Sequence, residues 1–102
     1  MNTANLQLEG LYLALASVLS SLKRQDVLSG AKIDAALAEA ERCAASGEDG
    51  RERSLSNTQA VLFPIRLLRL ANAYDAGELP PFSELAAKVS LHNHQNEERH
   101  HD

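Results

Sequence analysis

The chain has no tryptophan and only two phenylalanines and two tyrosines in 102 residues. Valine, isoleucine and threonine are also sparse, and no segment alternates apolar and polar residues with period two for more than a few positions. Both shortages argue against a β-sheet. A single cysteine, Cys43, excludes an intramolecular disulfide framework and fits a reducing compartment, so the cytoplasm is the expected location. The first ten residues, MNTANLQLEG, carry no lysine or arginine and do not open a secretory signal. The apolar run from Leu11 to Leu22 is interrupted by three serines. It falls short of the roughly 20 residues a bilayer span takes. Basic residues are outnumbered 10 to 14 and the net charge is −4, the wrong sign for nonspecific binding to nucleic acid or to an anionic membrane. There is no phosphate-cradling glycine loop, no triad order and no paired-carboxylate motif. The expectation is a protein that is not an enzyme and needs no cofactor.

What is abundant is leucine and alanine, both strong helix formers. The fold class expected is all-α: a small helical bundle in one domain over residues 1–91, with a polar tail at 92–102. Asn57 to Ala76 is the longest strongly apolar stretch, and its apolar residues spread over roughly half the circumference of a helix. A helix resting on one neighbour needs a narrower stripe, so this one is expected to be central and covered from two sides. Its remaining narrow face carries Arg66, Arg69 and Ala73, with Leu62 between the arginines. Ser56 to Gln59 reads as its capping box, Pro64 predicts a kink, and Gly77 is placed to end it.

Before it, the spacing predicts a helix over 4–25 with Thr3 as N-cap, in which Leu8, Leu11, Tyr12, Leu15, Val18, Leu19 and Leu22 face the core. A turn at 26–29 leads, with Ser29 as N-cap, into a helix over 30–45, whose apolar face is Ile33, Ala36, Leu37, Ala40 and Ala44. The short turn predicts that these two helices pair as an antiparallel hairpin. The polar stretch 46–53 is a loop. After the 57–76 helix and the Pro80-Pro81 connector, a short fourth helix is expected over 82–91.

Three features could carry function. Helix 4–25 has a second ridge of small residues, Gly10, Ala14, Ser17 and Ser21, bordered by Leu6 and Leu13. These leucines would be stranded in solvent unless another helix approaches, and surplus apolar surface marks interfaces. The expected activity is therefore protein–protein interaction, as a homodimer, through Leu6, Gly10, Leu13, Ser17 and Leu62, with Arg66 and Arg69 at the edge. A heterologous protein partner is the other expectation for that surface. All four histidines lie in the last eleven residues, and a helical tail would align His94, Glu98 and His101 as donors for zinc or nickel, the alternative reading. That segment has no apolar anchor to fix ligands. Last, Phe82 to His92 resembles the first half of a helix-turn-helix. Ser90 stands where glycine makes the turn, and the following NHQNEER is acidic at Glu97 and Glu98 and has no apolar residue to seat it. A DNA-binding regulator is thus the least favoured reading.

Overall fold

The structure is a computed structural model that describes residues 3–47, 54–74 and 79–99, with only the course of the helix given for 91–99. Among the described residues there are four helices: α1 (Thr3–Arg24), α2 (Gly30–Ser46), α3 (Leu55–Asn72) and α4 (Phe82–Arg99). No strand occurs among the described residues. The protein is an all-α bundle, as its composition predicts.

Local chemistry sets the helix ends. α1 finishes in a Schellman arrangement: Val27 N–H bonds the Leu22 carbonyl (3.0 Å) and Asp26 N–H the Lys23 carbonyl (3.1 Å). Asp26 takes the left-handed conformation this demands (φ 57°), an uncommon one for a residue with a Cβ. Ser29 caps α2, its hydroxyl accepting from Lys32 N–H at 3.1 Å, and Gly47 closes it with φ 75°. α3 begins two residues earlier than its sequence suggests. Ser54, not Ser56, is the N-cap and accepts from Asn57 N–H at 3.1 Å, while the Gln59 side chain is engaged by Arg66 instead of closing a capping box. α3 runs through Pro64 as one helix. Pro64 and Ala60 are both exposed, so the hydrogen bond that proline cannot donate is lost at the surface and not in the core. The helix ends at Asn72, and Gly77, expected to end it, lies outside the described residues.

α4 is longer than the expected 82–91 and continues to Arg99. The segment 92–99 contains no glycine or proline to break a helix, and half of it is Gln, Glu and Arg, which propagate one without needing a core. Most of the expected loop at 46–53 lies outside the described residues.

α3 is the hub: α1, α2 and α4 each make their extensive helix contacts with it. The expected α1–α2 hairpin does not form as a packed pair, because the turn delivers the two helices to different stripes of α3. One stripe, Leu67, Leu68 and Ala71, forms the core with Tyr12 of α1 and with Leu85 and Val89 of α4. Tyr12 also meets Phe82 edge-on, ring centroids 5.1 Å apart. The other stripe holds Leu62, Arg66 and Arg69 and faces α2. Leu62 is therefore 3% exposed, buried where an outward position was expected. On α2, Ile33 and Ala44 are buried and Leu37 packs at the core edge, whereas Ala36 and Ala40 are exposed.

Candidate functional site

The arginine edge proves to be a strut between helices. Arg69 grips Asp34 of α2 in a fork, Nε to Oδ1 at 2.8 Å and Nη2 to Oδ2 at 3.0 Å, and its Nη1 reaches Glu41 Oε1 at 3.0 Å. Arg66 donates to Gln59 Oε1 (3.0 Å) and to the other oxygen of Glu41 (3.4 Å). The forked hydrogen bond holds the Asp34 carboxyl below its ordinary range, and the two carboxylates hold the Arg69 guanidinium above its own. Both arginines, expected at an interface edge, are thus committed inside the chain to carboxylates of α2. Its pairing with both arginines puts Glu41 on the α3-facing side of α2.

Asn72 ties three helix ends together. Its amide donates to the Gly30 carbonyl at the start of α2 (2.9 Å), and its own carbonyl accepts from Lys23 Nζ at the end of α1 (3.0 Å). Its Oδ1 has no hydrogen-bond partner among the described residues. Next to this junction, a groove of about 260 Å³ runs between α1 and α3, lined by Leu13, Ser17, Ala16, Leu68, Ala71 and Tyr74 among others. Another cleft, beside Asp34, Glu41, Arg66 and Arg69, is also lined by Lys88. The Lys88 ammonium donates to the Tyr74 hydroxyl at 3.1 Å, a bond that holds it above its ordinary value.

The feature that stands apart is α1. Of its 22 residues only Tyr12 is buried. Tyr12, Ala16 and Leu19 attach the helix to the core. Leu8, Leu11, Leu15 and Val18, expected on the same inward stripe, are instead 55%, 57%, 41% and 57% exposed. Of that expected stripe Tyr12 and Leu19 face in, Leu22 is half-buried, and the other four face out. On the opposite flank Leu6 and Leu13 are about half exposed, and Gly10 and Ser17 are also at the surface. A Cβ at Gly10 would touch nothing, so the fold of the single chain gives no reason for glycine there.

His94 and Glu98 lie on α4 within the stretch where only the helix course is given, and His101 lies outside the described residues. Among the described residues no group of three or more histidine, cysteine, aspartate or glutamate side chains is placed to hold a metal. Cys43 sits on α2 with its sulfur 3.7 Å from both an Arg42 nitrogen and a Glu39 oxygen. No described helix is long and apolar enough to cross a membrane.

By class, then, this is a small all-α bundle with one edge helix left largely uncovered. No family model matches the chain, and no curated protein or solved structure does.

Proposed function

We propose that this is a non-enzymatic helical protein of the cytoplasm that acts by protein–protein interaction, and that it self-associates through α1 as a homodimer. One observation carries the reading: Leu8, Leu11, Leu15 and Val18, along one edge of α1, are each 41–57% exposed. Fully burying a side chain of this size contributes about 1.5–3 kcal/mol. Four of them left half in water withhold roughly 3–6 kcal/mol per copy. Two copies together release a sum of the same order as the about 4–15 kcal/mol that association costs. Contiguous apolar surface on this scale marks an interface, and closed two-fold pairs are its commonest use among like chains.

Leu6, Gly10, Leu13 and Ser17 stay in the proposal as accessible members of α1. Leu62, Arg66 and Arg69 drop out of it, because α2 occupies their stripe of α3. Absolute mass in solution, measured by light scattering from about 1 to 100 μM, tests the reading. The expected result is a mass that rises to twice that of the chain. A monomer at every concentration overturns it.

A further inference from the structure

We propose that two copies join as an antiparallel helix pair along the seam Leu8, Leu11, Leu15, Val18 and Leu22 of α1, with the two-fold axis beside Leu15. The inference rests on the self-association reading and gives that dimer its residues and its direction.

The spacing of the seam is 3, 4, 3, 4. It averages 3.5 residues, the period that keeps one edge of a helix against a single partner helix along its whole length. Within its own chain α1 does not use this edge. Tyr12, Ala16 and Leu19 make the attachment to the core, and the first four seam residues point away from it with 41–57% of their surface in water. Leu22, at the end next to the turn, is half-buried.

The flank is uncharged. Between Leu8 and Leu22 the only fully charged side chain is Glu9, and on a 100° wheel it stands about 140° from the seam centre. No carboxylate or ammonium need be desolvated to close the contact. The other flank offers only two large apolar side chains, Leu6 and Leu13, and the latter already borders the groove against α3. Five residues against two decides which flank pairs.

Direction follows from the helix dipoles. α1 has no acidic residue in its first turn and has Lys23 and Arg24 in its last. Both basic side chains lie off the seam, about 100° and 160° from its centre on the same wheel, and Lys23 is tied to the Asn72 carbonyl. The dipoles therefore decide: a parallel pair would align them side by side. An antiparallel pair opposes the dipoles, and with the axis beside Leu15 it sets the two Arg24 positions about 27 Å apart, 18 residues of rise. In this register Leu15 meets its own copy, Leu8 meets Leu22, and Leu11 lies beside Val18.

The test uses the full chain with Cys43→Ser and single cysteines introduced on α1, treated with a short bismaleimide. Leu15→Cys is expected to give a covalent dimer. Leu8→Cys alone is expected to give none, because its two copies would stand about 21 Å apart, 14 residues of rise. Mixing Leu8→Cys with a mass-tagged Leu22→Cys chain should restore the cross-link. Leu8→Cys joining to itself overturns the antiparallel direction. Leu13→Cys cross-linking while Leu15→Cys does not overturns the seam and leaves the self-association reading standing. A monomeric parent chain at about 100 μM overturns both. Leu11→Glu is expected to raise the dissociation constant at least tenfold with helicity unchanged, and Leu13→Glu to leave it within twofold. The reverse ranking overturns the seam.

Discussion

Tyr12 is the residue on which α1 hangs, and its hydroxyl is the weak point of the anchor. The side chain is 4% exposed and the oxygen has no hydrogen-bond partner among the described residues. Burial alone pushes its phenol above the ordinary value of 10.0. A buried hydroxyl without a partner costs about 1–3 kcal/mol, so Tyr12→Phe should leave the protein as stable as before or raise stability by about 1 kcal/mol in urea unfolding. A loss of stability would mean the hydroxyl has a partner. The linkage also has a sign. A raised phenol gives stability that is complete below pH 10 and lost as pH climbs toward the folded value, and the phenylalanine variant should lack that alkaline loss. Asp34 behaves oppositely. Its carboxyl is lowered chiefly by the hydrogen bond from Arg69, so its contribution is present above its ordinary value of 3.8 and disappears as pH falls through the lower folded one. An acid titration of stability should be flatter in Asp34→Asn than in the parent. The solvent-facing side of this pair keeps the difference modest.

Element by element, the caps and breakers make separate forecasts. Asp26 bears the left-handed backbone that ends α1. Glycine reaches that conformation without the Cβ clash, so Asp26→Gly should stabilise by about 0.5–1 kcal/mol in thermal or urea denaturation. Pro64 sits ten residues into α3 at the surface, removing one backbone hydrogen bond. Pro64→Ala should recover about 1–3 kcal/mol of stability, provided that α3 has no use for a bend. These two helices also show what local chemistry can disclose. Ser29 and Gly47 bracket α2 because their side chain and backbone demands are met within a few residues, and such signals are legible in the sequence. Ser54 and Ser56 compete for one role within three positions. The winner is decided by what Gln59 does instead, and Gln59 answers to Arg66 about two turns away. α4 outran its apolar residues for the converse reason: helix propagation needs good backbone formers, which 92–99 has, and apolar periodicity reports only on packing.

For the molecule as a whole, α3 was readable as the centre from the breadth of its apolar surface alone. The partners of its faces were not. Arg66 and Arg69 look like a solvent edge when only one helix is considered. They become interior struts once Asp34 and Glu41 of α2 stand opposite, a fact about two segments that neither reveals alone. The same limit applies to α1. Seven residues share one helical periodicity, and spacing cannot tell a stripe that faces its own core from one that faces a second chain. Tyr12, Ala16 and Leu19 lie on the side of that stripe that the core claims, and the seam is what remains.

The hub arrangement has a consequence in time as well as in space. The tie from α1 to α3 through Lys23 and Asn72 crosses 49 positions of sequence, and the contacts of Tyr12 with Leu67 and Leu68 cross still more. Closing so long a loop is slow relative to the neighbouring docking of α3 on α4, and little buried surface holds α1 once it arrives. In native-state hydrogen exchange the amides of α1 should therefore open at lower free energy than those of α3, and their protection should grow with protein concentration while that of α3 stays fixed. The last helix to settle in one chain would then be the first to be held by another.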